Sequence, residues 1–204
     1  MAHLIWKGTI YNQNDFSETT LPENAVKMKK AETMKSLRVK TFAIAIPLII
    51  LIPIIFYYFF SSLPSDSAMS YFIGIIVSCL FILFGNFMFL FLYPKNTIIQ
   101  ISFLSPNFTF ITHPISPLTK KRVLLINLAP CIFIFLILIL VFVPVFHINV
   151  RLFLFSFLTI QIPLFSRKSY EVFTILKQVP KGAYIQNLGF QSYWFTLSQK
   201  ETDV

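Results

Sequence analysis

Charge is what this sequence has least of. Asp, Glu, Lys and Arg make up 12% of its 204 residues, whereas a soluble domain carries about 25%. Half the charge that would keep such a surface in water is missing, so the composition is that of a membrane protein. Cysteine is scarce too: Cys79 and Cys131 both fall inside long apolar runs. There they act as small apolar residues, and no disulfide framework is expected.

Histidine and acid are the next shortages, and they bear on chemistry. The only histidines are His3, His113 and His147. No two of them have the i, i+4 spacing of a helical zinc motif, there is no CxxC, and a catalytic zinc needs three protein ligands. No metal or other cofactor is therefore expected. The eight acids, Asp15, Glu18, Glu23, Glu32, Asp66, Glu171, Glu201 and Asp203, all lie outside the apolar runs. Proton-coupled transporters place an ionisable group within the membrane, so a carboxylate-driven transporter is not expected. Serine catalysis lacks its Gly-x-Ser-x-Gly, and no base lies in a run. Internal repeats and low-complexity tracts are missing as well.

What is abundant is apolar: 56% hydrophobic residues, 25 of them phenylalanine, and a mean hydropathy of +0.73. Four runs contain no charged residue: 42–60, 71–93, 123–146 and 152–165. The first three meet the length of about 17–25 residues that a helix needs to cross the hydrocarbon. The fourth, with 14 residues, reaches it by taking in 149–151 and Ser166 with Arg151 snorkelling, or else is a re-entrant segment. The first 40 residues hold no apolar run behind a short basic start, so no cleavable secretory signal is expected and 42–60 reads as a retained helix.

The cations arbitrate. Of 17, seven precede the first run, four lie between the second and third, five follow the fourth, and only Arg151 occupies the other two connections. The positive-inside rule then puts both termini and the central loop in the cytoplasm and requires an even number of crossings. The expected fold is a membrane all-α protein of four transmembrane helices, N-in and C-in, with a small β-rich cytoplasmic cap. Its parts are a basic segment 1–40 and a membrane domain 41–166 with spans at about 42–60, 71–93, 123–146 and 150–166. A hairpin loop 94–122 and a cytoplasmic segment 167–204 complete it. Too little chain remains for a separate soluble enzyme domain.

The net charge of +9 thus reads as a topology signal, and no nucleic-acid partner is expected. Lys27, Lys29, Lys30, Lys35, Arg38 and Lys40 form a cluster suited to anionic lipid, at about 1 kcal/mol per cation near the surface. Residues 97–104 and 108–113, rich in β-branched and aromatic side chains and separated by Ser105-Pro106-Asn107, predict a β-hairpin. Residues 170–179 have the spacing of a one-sided helix stopped by Pro180-Lys181-Gly182. Residues 183–197 predict one or two strands, in which Trp194 reads as a strand residue or an interfacial anchor.

Inside the runs, Asn86, Asn127 and Gln161 are polar. They line a shared polar site, as in a small transporter or channel subunit, or they make helix-to-helix hydrogen bonds. Gly74 and Ser78, one turn apart, form a small-residue face for close helix packing.

The order of Tyr93-Pro94, the hairpin, Asn127-Leu128-Ala129-Pro130, Pro180-Lys181-Gly182-Ala183, Gly189 and Tyr193-Trp194 resembles the bacterial integral-membrane zincin-peptidase family. The resemblance implies a bacterial cytoplasmic membrane and a His-Glu-x-x-His motif before Tyr93-Pro94, with a further acidic ligand after the fourth span. In that motif the histidines bind zinc and the glutamate activates its water. Here the stretch reads Gly85-Asn86-Phe87-Met88-Phe89-Leu90, so Gly85, Asn86, Phe89 and Leu90 stand where the motif would be. After the fourth run comes Ser166-Arg167-Lys168-Ser169, with no acid before Glu171. The resemblance therefore implies a peptidase scaffold without catalytic residues, whose partners are the bilayer and another membrane protein.

Overall fold

The computed structural model describes residues 2–10, 20–29, 34–59, 68–104, 109–188 and 191–196. In chain order these form β1 (His3–Ile10), β2 (Val26–Lys27), α1 (Met34–Phe59), α2 (Ala68–Met88) and a 3-10 turn (Leu90–Leu92). Then come β3 (Ile98–Leu104), β4 (Thr109–Pro114), β5 (Leu118–Thr119), α3 (Lys120–Phe142), α4 (Ile148–Gln178), β6 (Tyr184–Leu188) and β7 (Gln191–Phe195). Among the described residues three helical segments are long and apolar enough to cross a membrane: Ala68–Leu92, Lys120–Phe142 and Ile148–Gln178. Within α1, the described side chains of Val39–Ile55 form a further apolar stretch.

The chain divides into two compact units. One holds residues 33–82 and 128–171 and is helical. Its core is built from Ile134, Ile137 and Val141 of α3 and Leu152, Phe155, Phe157 and Leu158 of α4. Phe81 of α2 stacks on Phe133 at 5.4 Å and meets Phe157 edge-on at 5.5 Å. Phe72, Ile76, Ile132 and Phe135 face outward and are exposed. An apolar outer face on an apolar helix is what lipid accepts and water does not. The helices run on through Pro47, Pro53, Pro130 and Pro163, as membrane helices tolerate.

The fourth apolar run is longer in the structure than the sequence reading has it. Residues 152–165 lie within α4, a single helix of 31 residues and about 46 Å at 1.5 Å per residue. The helix expected separately over 170–179 is its continuation. Arg167, Lys168 and Glu171 do not break it, because Arg167 and Lys168 reach Glu171 one turn on, at 3.4 and 3.9 Å. At the other end Arg151 donates to the carbonyls of Phe146 and Pro144, at 2.9 and 2.8 Å, in the connection between α3 and α4.

The other unit holds residues 1–32, 83–127 and 172–204 and carries two sheets. The first has the order β1-β3-β4, with β1 parallel and β4 antiparallel to β3. The predicted hairpin is thus β3–β4; its turn, Ser105-Pro106-Asn107, lies outside the described residues. The second sheet has the order β2-β7-β6-β5, antiparallel throughout. The two C-terminal strands therefore pair with each other and do not extend the hairpin. Met28, Ile175, Val179, Ala183 and Ile185 form this unit's core, with Trp194 packed on it. The segment 1–40 is more than a basic flank, since it contributes β1 and β2. Gly182, at φ +82°, makes the turn after α4 that a side chain would strain. Lys120 Nζ donates to the Val179 carbonyl at 2.5 Å, a cation at the carbonyl end of a helix.

Candidate functional site

The stretch where the resemblance would put zinc ligands lies at the end of α2. Gly85 is buried and Phe89 and Leu90 are half-buried; the Asn86 side chain lies outside the described residues. Around this stretch the structure packs rings. Phe110 of β4 lies 5.8 Å from Phe84, 5.6 Å from Phe87, 5.3 Å from Phe103 and 6.2 Å from Trp6. Phe84 and Phe87, three residues apart, share a helix face. Among the described residues no group of three His, Cys, Asp or Glu side chains is placed to hold a metal ion.

Of the three polar residues of the runs, Asn127 and Gln161 have described side chains. Asn127 donates to the Val123 carbonyl of its own helix at 3.0 Å. Gln161, fully buried, donates from Nε2 to Ser78 Oγ at 2.9 Å and to the Ser78 carbonyl at 3.1 Å. Ser78 Oγ in turn donates to the Phe157 carbonyl at 3.0 Å. Both amide hydrogens of Gln161 are thus used, and their acceptors fix which way the amide points. Its buried carbonyl oxygen has no partner. Beside this pair Gly74 faces α4 so closely that a Cβ there would overlap Ser156 Oγ and the Phe153 carbonyl.

The basic cluster divides. Lys27, Lys29 and Lys40 are exposed, Lys30 lies outside the described residues, and so do the side chains of Lys35 and Arg38. Lys29 is held through its backbone, which exchanges hydrogen bonds of 2.7 and 2.9 Å with the Gln178 amide. Lys40 Nζ stands 5.9 Å above the Tyr170 ring centroid, within cation–π range.

The sequence reading missed a buried polar seam in the sheet-bearing unit. Gln100, Ser102 and His113 on one sheet and Gln186, Asn187 and Ser192 on the other are all neutral, and all but Asn187 are buried. Gln100 and His113 are cross-strand partners. His113 Nε2 donates to the Asn187 carbonyl at 3.1 Å. Ser192 donates to Asn187 Oδ1 at 2.5 Å, and Gln186 reaches the Ile115 carbonyl at 3.4 Å. Burial pushes the His113 pKa down, the bond to Asn187 opposes this, and the Lys7 charge adds to it. Ser102 Oγ is buried without a partner. The available signal was Gln100 and Ser102 alternating with Ile99 and Ile101, which reads as a wetted strand face until a second sheet covers it. Such hydrogen bonds tie the two sheets together. No family model, curated protein or solved structure matches the chain.

Proposed function

We propose that this is a four-span protein of a bacterial cytoplasmic membrane, with both termini cytoplasmic, that holds or regulates another membrane protein without catalysing a reaction. On this reading it is a relative of membrane zinc peptidases that has lost their chemistry. The observation that carries it is the stretch from Gly85 to Leu90. It offers no ligand and no base, and the rings of Phe84, Phe87 and Phe110 pack beside it. Metal-activated water and general acid–base help, worth about 10²–10⁴ in rate for the latter, have no residues to supply them there. A sheet-bearing unit braced by its own polar seam is a rigid platform for a partner's segment.

Three apolar helices support the membrane reading, and α1 supplies the fourth crossing that the cation distribution demands. A small transporter or channel subunit is the weaker reading, because Gln161 gives both amide hydrogens to Ser78 of the neighbouring helix and Asn127 donates to the Val123 carbonyl of its own helix. The test is the purified protein in lipid. The proposal expects no bound zinc and no chelator-sensitive cleavage of membrane substrates, together with a defined membrane partner crosslinked from positions in β6 and β7. Zinc-dependent proteolysis abolished by a chelator overturns it.

A further inference from the structure

The amino-terminal strand has an unusual surface. In β1, Leu4, Ile5 and Trp6 are all exposed, Trp6 by 59% and Leu4 by 51%. Register places Leu4 beside Ile99 and Trp6 beside Ile101, so Leu4 and Trp6 extend the apolar face of the sheet. That face meets the end of α2. Trp6 is 6.2 Å from Phe110, and Phe110 stacks on Phe84 at 5.8 Å. Phe84 belongs to the apolar segment Ala68–Leu92, and its own ring is 51% exposed, as is that of Phe91 by 77%. One continuous apolar surface therefore runs from the end of a membrane-length helix across Phe110 to Trp6.

We infer that β1 is seated in the membrane interface, with Trp6 and Leu4 held against lipid at the boundary between acyl chains and headgroups. The occupant is lipid because the patch is continuous with the outer face of a helix that needs lipid. The depth follows from the backbone. Among the described residues β1 is an edge strand, so one row of its N–H and C=O groups is unpaired by that sheet, and such an edge is not tolerated in hydrocarbon. Among headgroups water satisfies it, and tryptophan favours that layer. The exposed Lys7 beside Trp6 falls where anionic headgroups are. A register shift lies between Trp6 and Gly8, and Gly8 has φ +93°. This bulge bends the strand at the point where its side chains change from apolar to polar.

The inference rests on α2 crossing the membrane. It is tested on the full chain in vesicles of phosphatidylcholine and phosphatidylglycerol. Trp194→Phe leaves Trp6 as the sole tryptophan, and Trp6→Phe supplies the complementary signal by difference should the first variant fold poorly. Trp6 emission is expected to be blue-shifted and lost mainly to lipids brominated near the glycerol end of the chains, with little loss to aqueous iodide. Strong iodide quenching without lipid quenching places Trp6 in water and overturns the inference. Shielding from both, as by a second copy, overturns it too, and so does greater loss to lipids brominated near the methyl end. Extraction of the chain from vesicles by alkaline carbonate would instead defeat the membrane reading itself.

Discussion

Gln161 of α4 places its amide nitrogen 2.9 Å from Ser78 Oγ of α2, and both residues are completely buried. This pair is a polar fastening between α2 and α4. Lipid competes poorly for its donors, yet such bonds between membrane helices contribute only about 0.6–1.7 kcal/mol. A cycle of Ser78→Ala, Gln161→Leu and the double variant, read as stability in mixed micelles, is expected to show favourable coupling of about that size. Strict additivity would mean that the two side chains act independently.

Gly74 makes the same contact steric. A methyl group there meets the Phe153 backbone carbonyl, which cannot rotate away as Ser156 Oγ can. Gly74→Ala should cost about 1–3 kcal/mol, as forced overpacking does. Cys79→Ala, on the exposed side of the same helix, should stay within about 0.5 kcal/mol. Equal thermal midpoints for Gly74→Ala and the parent protein would contradict the close approach of α2 and α4.

His113 gives the sheet-bearing unit a pH dependence of definite sign. Its folded pKa lies below the ordinary 6.5, chiefly through burial. As pH falls through 6.5 the unfolded chain takes up a proton that the folded chain refuses, so stability drops. The contribution is complete above 6.5 and lost as pH falls below it. His113→Gln, which keeps an amide donor for the Asn187 carbonyl, should flatten this part of the curve when unfolding midpoints are compared between pH 5 and pH 8. An unchanged slope would assign the dependence to other groups.

The apolar runs made the helices legible because a stretch without charge has few alternatives to crossing lipid. The hairpin was legible from its β-branched residues and short polar break. β1 was not, since its partner β3 lies about ninety residues downstream and pairs in parallel, and nothing local announces such a pairing. The length of α4 was hidden for a different reason. Arg167 and Lys168 read as a membrane boundary, which is a statement about solvent, while the helix continues through them on its own hydrogen bonds. Of the site residues, the absence of ligands between Gly85 and Leu90 was plain in the sequence. The polar seam was invisible because the bond from His113 to the Asn187 carbonyl exists only once β4 meets β6, about seventy residues downstream.

The proposed function requires that the chain cross the membrane four times. Reporter fusions at Asp66 and at the carboxyl terminus decide it, each pairing an enzyme active only outside the cytoplasm with one active only within it. Four crossings with the sheets, the basic flanks and both termini in the cytoplasm predict an external signal at Asp66 and an internal one at the terminus. An internal signal at Asp66, or an external one at the carboxyl terminus, would contradict it.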